Sequence, residues 1–170
     1  LTYSITSGTN ITSALAGNDL TFTPDQDFFG SEEFTVSVSD GDLSNSETFT
    51  LTVSAVNDAP VLATVSDANF DEDDFGSMSL DGLGSDVDGD DLSYSITGGS
   101  DITATLDGSS VSFSAPANYN GNEEFSVSVS DGELTDSQSI TVTVNAINDE
   151  PVANAASGAT AEDQSVVIAL

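Results

Sequence analysis

Hydrophobic and hydroxyl residues alternate along several stretches of the chain. Leu92, Tyr94 and Ile96 are separated by Ser and Thr, and the same period of two recurs at 125–129 and at 140–144. A period of two places alternate side chains on opposite faces of an extended strand. The pattern predicts antiparallel sheets with one apolar face and one hydroxyl-rich face in water.

Shorter apolar runs at 61–65, 77–80, 102–106 and 111–114 predict further strands, with Gly, Asp and Asn turns between them. About seven strands in one stretch of this size are typical of an immunoglobulin-like Greek-key sandwich. The sequence shows no convincing amphipathic helix. We therefore expect an all-β fold of tandem immunoglobulin-like or cadherin-like β-sandwiches in an extended array.

The chain contains an internal repeat. The segment that starts at Leu1 matches the segment that starts at Leu92, an offset of 91 residues, and the same offset holds as far as Pro60 and Pro151. Dropping one residue after Val152 extends the match to the end of the chain. Self-similarity at a fixed spacing is the signature of a repeat architecture.

The repeat predicts three units. Residues 1–58 form a first repeat without its opening strand, 59–149 a complete second repeat, and 150–170 the opening of a third. Because the sequence begins with Leu, we expect it to be part of a longer array. Alternatively, the ends of different chains could pair head to tail, one chain completing the sandwich of the next.

The charge of the chain is extreme. It has 30 Asp and Glu and no Lys, Arg, His, Cys or Trp, which gives a formal net charge of −30. Such a chain repels itself, and divalent cations or high salt can offset that repulsion. Disorder is another outcome for a highly charged chain, but 37% of the residues are hydrophobic and patterned.

The missing residue types argue against several functions. Without Lys or Arg, nucleic acid and anionic membranes are poor partners. Without His, Cys or Lys, most general bases, nucleophiles and zinc sites are unavailable, so we expect no enzyme activity. Paired glycosidase carboxylates would need a sugar-binding groove, and the sequence supplies no aromatic platforms for one. We see no apolar run long enough to insert into a bilayer and no signal peptide.

Asp86, Asp88 and Asp90 alternate on a predicted turn just before the strand at Leu92. Three such carboxylates can converge on one Ca²⁺ ion, which takes six to eight oxygen ligands. The run is not an EF-hand loop, because Gly89 is at the fourth position and Thr97 takes the place of the final Glu. A solvated Asp/Gly turn explains the same residues.

Three further acidic segments recur with the repeat. They are the linker Asn57-Asp58 with its copy Asn148-Asp149, the acidic run around Glu72, and the Ser-Asp-Gly turns at Asp40 and Asp131. Each has a simpler interpretation as an ordinary linker, as an edge strand charged against aggregation, or as a hairpin turn.

Together these motifs resemble a cadherin repeat. Glu72, the Asp86-Val87-Asp88 sequence, the Tyr94-Ser95-Ile96 strand, a Val-Ser-Asp-Gly turn and an Asn-Asp-Ala-Pro linker follow in the order of that family. The chain is most similar to the bacterial cadherin-like repeats found in arrays in large surface adhesins. That resemblance implies calcium between the base of one repeat and the top of the next.

The resemblance also implies which residues bind the ion. At the junction inside the chain they are Asn57, Asp58, Asp86, Asp88, Asp131 and, as a possible addition, Asp90. At the next junction they are Glu72, Asn148 and Asp149, and Asp40 would face a preceding junction. The Asp-Arg-Glu motif of cadherins is missing because there is no Arg, and Asp25, Asp27 or Glu32 are the residues that can replace it.

We therefore expect calcium-binding structural repeats of an extracellular or cell-surface bacterial adhesin or matrix protein. Calcium would stiffen the junctions between neighbouring repeats, which are the expected partners. Two alternatives remain open: a module that binds polysaccharide or like repeats on another cell, and a passive acidic spacer.

Overall fold

The computed structural model of the chain describes residues 1–152 and 157–168. Within them the secondary structure consists of strands and turns, and no helix is long and apolar enough to cross a membrane. The strands of the first repeat are β1 (Thr2–Ile5), β2 (Ile11–Ala16), β3 (Asp19–Pro24), β4 (Gly30–Ser39) and β5 (Ser44–Val53). Those of the second repeat are β6 (Val61–Leu62), β7 (Ala68–Asp71), β8 (Gly76–Ser79), β9 (Gly84–Ser85), β10 (Ser93–Gly98), β11 (Thr103–Asp107), β12 (Ser110–Ser114), β13 (Gly121–Ser130) and β14 (Thr135–Asn145).

The second repeat is a sandwich of two sheets. One sheet has the order β10-β13-β14-β7 and the other the order β11-β12-β8, while β6 and β9 form a short separate pair. All pairs are antiparallel except β14 with β7. The predicted all-β architecture is confirmed.

The core of the second repeat lies between its two sheets. Six apolar side chains of β13 and β14 line one face of their sheet and are almost completely buried: Phe125, Val127, Val129, Ile140, Val142 and Val144. Phe113 of the opposite sheet packs edge-on against Phe125, with 5.6 Å between ring centroids. The period-two prediction for these strands is confirmed, because their apolar side chains point inward and their Ser and Thr side chains point outward.

The outward positions form rows of hydroxyl groups across the sheet. Ser95 pairs with Ser128, which pairs with Ser137, and the first repeat has the matching row Ser4, Ser37 and Ser46. Strands β8, β10 and β12 contain no Asp or Glu at all. Most carboxylates of the second repeat lie between strands, and those within strands are Asp71, Asp107, Glu123, Glu124 and Asp136.

One strand prediction differs from the structure, and the edge-strand interpretation of the acidic segment agrees with it. The predicted strand at 61–65 is regular only at Val61–Leu62. The acidic segment around Phe70 forms β7, which pairs in parallel with β14 and places Val144 opposite Phe70. Strand β7 is the last strand of its sheet, and its outward side chains Asn69 and Asp71 are exposed.

Candidate metal site

The acidic run before β10 folds into a tight turn around one carboxylate oxygen. Asp86 Oδ1 accepts hydrogen bonds from the backbone N–H groups of Asp88 at 2.8 Å, Gly89 at 3.1 Å and Asp90 at 3.4 Å. Gly89 has a φ of +82°, which the absence of a Cβ permits. This turn brings carboxylate oxygens of Asp86, Asp88 and Asp90 within 4.8 Å of one another.

The second oxygen of Asp86 is different. Asp86 Oδ2 is buried, and no group in the described part of the chain donates a hydrogen bond to it. A buried acceptor without a donor is unfavourable, because its hydrogen bonds to water are lost and no protein hydrogen bond replaces them. Its neighbours in the cluster are also carboxylates, which can only accept, so a cation is the kind of ligand that satisfies all of them.

The linker between the repeats contacts this turn. The backbone N–H of Asp58 donates to Asp88 Oδ2 at 2.8 Å. The amide of Asn57 donates to Asp131 Oδ2 at 3.0 Å. The linker therefore touches the second repeat at two of the positions that the sequence assigns to the junction.

Asp131 also shapes the hairpin between β13 and β14. Its Oδ1 atom accepts the N–H groups of Glu133 and Leu134, both at 2.7 Å. The bond from Leu134, followed by the Asn57 amide, lowers the pKa of Asp131. Both the turn and the ligand interpretation of this residue are compatible with its position, because the turn uses Oδ1 and Asn57 contacts Oδ2.

A cleft of about 300 Å³ lies beside the linker and is lined by both repeats. Asp25, Asp27 and Phe28 form part of the wall on the first repeat, Asp58 belongs to the linker, and Asp88 comes from the second repeat. Partial loss of water raises the pKa of Asp58, and the negative charges of Asp27, Asp88 and Asp86 raise it further. The chain has no Lys, Arg or His that could neutralise this cluster.

The residues predicted for the following junction lie at the opposite end of the second repeat. Glu72 is buried, and its Oε1 atom accepts the backbone N–H of Ile147 at 2.6 Å. Its other oxygen is 3.5 Å from the Asn120 amide nitrogen. Asn148 and Asp149 are exposed and contact each other, since the Asn148 amide donates to the Asp149 carbonyl oxygen at 3.2 Å. Glu72 thus holds the start of the second linker.

Asp40 lies in the hairpin between β4 and β5. Its Oδ1 atom accepts the N–H groups of Asp42 at 3.0 Å and Leu43 at 2.8 Å. These bonds, that of Leu43 first, lower the pKa of Asp40. The arrangement copies that of Asp131, which is the residue at the same position of the second repeat.

Of the three residues considered as replacements for the cadherin Asp-Arg-Glu motif, two face the junction and one does not. Asp25 and Asp27 line the cleft. Both oxygens of Glu32 instead accept hydrogen bonds from the segment Thr9–Ile11. Asp27 has a left-handed φ of +58°, shortly before the glycine that opens β4. Asp adopts this conformation more readily than most residues, so its residue type was compatible with a turn here.

Comparison with protein families finds a match to the model described as Bacterial Ig domain, over residues 1–54 and 57–143. A comparison with curated protein sequences finds no significant match.

Several solved structures are similar over most of the chain. An endo-fucoidan hydrolase from glycoside hydrolase family 107 is 19% identical with a TM-score of 0.39, and the match covers 85% of this chain and 24% of the hydrolase. Domains 4-9 of surface layer protein SbsC are 15% identical with a TM-score of 0.34, covering 90% of this chain and 22% of that one. The titin domains z1z2 in complex with telethonin are 10% identical with a TM-score of 0.31, covering 82% and 74%. The chain thus spans about a quarter of the length of the hydrolase.

Proposed function

Because the chain belongs to the bacterial Ig domain family, we propose that it forms structural repeats of a secreted or cell-surface protein, and that Ca²⁺ binds at the repeat junction and stiffens it. The observation that carries this proposal is the buried Asp86 Oδ2 atom, which has no donor among the described residues and lies in a cluster of three carboxylates. The repeats act as spacers and partners of one another, and they catalyse no reaction.

The donor set fits calcium. The first ligands are Asp86, Asp88 and Asp90, whose oxygens lie within 4.8 Å of one another. The linker residues Asn57 and Asp58 supply further oxygens from the side chain and backbone, and six to eight oxygens are what Ca²⁺ requires. Zinc and copper prefer His and Cys, which the chain lacks.

Calcium would couple the two repeats through the linker. Without a cation, Asp27, Asp58 and Asp88 repel one another across the cleft, and this repulsion adds to the loss of water that is the first cause of the raised pKa of Asp58. A divalent ion removes that repulsion and holds groups from the linker and from the second repeat in one coordination shell. Because calcium would bind the folded junction and not the unfolded chain, its binding free energy adds to the stability of the folded chain.

The surface location rests on the family and on composition. Bacterial immunoglobulin-like repeats are suited to spacing, since their sandwiches join end to end through short linkers. A chain without basic residues stays soluble and does not bind nucleic acid or anionic lipid. We therefore place the protein outside the cell, where calcium is available.

Calorimetry and melting curves test the proposal. We expect calcium to bind the wild-type chain and to raise its Tm well above the value in EDTA, while NaCl at equal ionic strength does not. Asp86→Asn should weaken binding by at least about tenfold, the scale seen when metal sites lose a supporting group. The control is Asp81→Asn, which makes the same charge change in an exposed turn outside the cluster.

Two outcomes would contradict the calcium role. One is the absence of calorimetric binding to the wild-type chain, with equal Tm values in calcium and sodium. The other is an equal loss of affinity in the Asp86 and Asp81 variants, which would mean that calcium responds to total charge. Either result would leave a passive acidic spacer as the better account. Small-angle scattering in calcium and in EDTA gives the accompanying change in particle length.

A further inference from the structure

Each repeat has a glutamate whose carboxylate accepts hydrogen bonds from a nearby loop. Glu32 accepts the backbone N–H groups of Thr9 at 3.1 Å, Asn10 at 2.8 Å and Ile11 at 3.2 Å. Glu123, 91 residues later, accepts those of Ser100 at 2.8 Å, Asp101 at 3.1 Å and Ile102 at 3.0 Å. Each side chain therefore satisfies three consecutive donors of the loop before the next strand.

The loop is built around this carboxylate. In the first repeat the Asn10 side chain adds a fourth bond, from its amide to Glu32 Oε1 at 3.0 Å. A Cβ placed on Gly8 would collide with the Glu32 carboxylate, so the chain can approach the acid closely only because residue 8 is glycine. Gly99, at the same position of the second repeat, is also required by close contacts, because a Cβ there would collide with the Ile102 carbonyl oxygen and the Phe125 ring.

In the first repeat the held loop reaches the junction cleft through two backbone contacts. The Asn10 carbonyl oxygen accepts the N–H of Asp25 at 2.8 Å, and the Asp25 carbonyl oxygen accepts the N–H of Phe28 at 3.2 Å. These bonds close the turn that contains Asp27 in its left-handed conformation. Asp25, Asp27 and Phe28 all line the cleft.

We propose that Glu32 is a positioning residue for the junction: by holding the loop 9–11 it fixes the turn 25–28, and so sets where Asp25 and Asp27 stand in the cleft. The calcium part of this inference rests on the proposed function, because it requires that these two carboxylates affect calcium binding at the junction. Glu32 does not line the cleft, and both of its oxygens accept hydrogen bonds from the loop, so we assign it a positioning role and not a ligand role.

The second repeat supplies the matched control. Pro116 stands where the first repeat has Asp25, and proline has no N–H to donate to the held loop. The corresponding turn is instead fixed from outside, because Asp73 Oδ1 accepts the N–H of Asn118 at 2.9 Å. Loss of Glu123 should therefore free its loop without freeing the turn 116–119.

The experiment compares Glu32→Gln and Glu123→Gln with the wild-type chain by amide hydrogen exchange in EDTA. We expect Glu32→Gln to speed exchange in 25–28 by about tenfold or more, because the held loop no longer anchors that turn. Glu123→Gln should speed exchange in 100–102 and leave 117–119 unchanged. Asn10→Ala, which removes only one of the four bonds, gives a smaller effect of the same kind should Glu32→Gln fail to fold.

Calcium titration of the same variants completes the test. Glu32→Gln should bind calcium several-fold more weakly than wild type, and Glu123→Gln should bind it as the wild type does at this junction. Unchanged exchange in 25–28 overturns the positioning role itself. Faster exchange with unchanged calcium affinity overturns its link to the ion. If the wild-type chain binds no calcium, the proposed function fails, whereas the exchange data still decide the positioning role.

Discussion

The two repeats carry the same Phe-x-Val-x-Val sequence and bury it differently. Phe34 and Phe125 are both buried, with 0% and 2% of their surface exposed. Val127 and Val129 are completely buried, but their counterparts Val36 and Val38 are only half-buried. Thus an identical pattern along a strand produces a closed core in one region and a partly open one in the other.

The segment that covers the sheet in the second repeat, residues 61–65, has no counterpart among residues 1–58, because the offset of 91 places it before Leu1. In the second repeat, residues 61–65 lie over this end of the core, and Asp136 and Gln138 hold them there. Asp136 accepts the Leu62 N–H at 2.8 Å, while Gln138 donates to the Leu62 and Ala63 carbonyl oxygens and accepts the Val65 N–H. The first repeat has Asn45 and Glu47 at these positions, and both are exposed. Strand pattern sets which side chains face inward, and the covering segment decides how much water they lose.

The largest expected effect tests this burial difference directly. Val127→Ala should destabilise the second repeat by about 2 kcal/mol, from the transfer of two methyl groups and the cavity they leave. Val36→Ala should cost the first repeat less than about 1 kcal/mol, because its side chain already touches water. Hydrogen exchange in strands β4 and β13 measures the two repeats separately in one chain. Equal costs would show that the cover does not control burial.

A smaller effect is expected from the anchor of the covering segment. Gln138→Ala removes three hydrogen bonds to the segment 61–65 and should destabilise the second repeat by about 1 kcal/mol. Exchange of the Leu62 and Val65 amides should speed up more than that of the core strands. Glu47→Ala, at the matching exposed position of the first repeat, should leave stability unchanged. If Glu47→Ala were as costly, the two positions would have the same role and the comparison would fail.

The smallest expected difference between the repeats is their response to acid. The backbone N–H groups of Asn10 and of Asp101, as the first causes, lower the pKa of Glu32 and of Glu123 below their ordinary value of 4.5. A group whose pKa is lower in the folded state stabilises it above its unfolded pKa and loses that contribution as pH falls through the folded pKa. We therefore expect both repeats to lose stability in parallel below pH 4.5. Melting curves of the wild type and of Glu123→Gln measure this, and the variant should show a shallower acid slope.

Much of the fold followed from the sequence because alternation is a local property. The strands at 93–98, 121–130 and 135–145 each show several apolar and hydroxyl residues in strict order, and the Asp-Gly turn at Asp131 marks the hairpin between the last two. The sequence allowed β7 to be an edge strand but did not give its partner, because β7 pairs in parallel with β14, more than 70 residues away. Such pairing depends on the assembled sheet.

The candidate site was partly predictable for the same reason. Asp86, Asp88 and Asp90 are close in sequence, and the turn that gathers them is a local structure. The contacts of Asn57 with Asp131 and of Asp58 with Asp88 depend on how the linker lies on the second repeat, and only the resemblance to cadherin repeats indicated them. Glu123 gave no local signal, because its three donors lie more than 20 residues earlier in the chain.

The separation of hydroxyl rows from acidic turns has an electrical consequence along the length of an array. A strand of ten residues such as β13 spans about 33 Å, whereas the Debye length at an ionic strength of 0.1 M is about 10 Å. Negative bands at opposite ends of one sandwich are therefore screened from each other, while carboxylates that meet at a junction are not. In an array of such repeats, electrostatic repulsion would therefore act mainly within each junction, where carboxylates lie closer together than a Debye length.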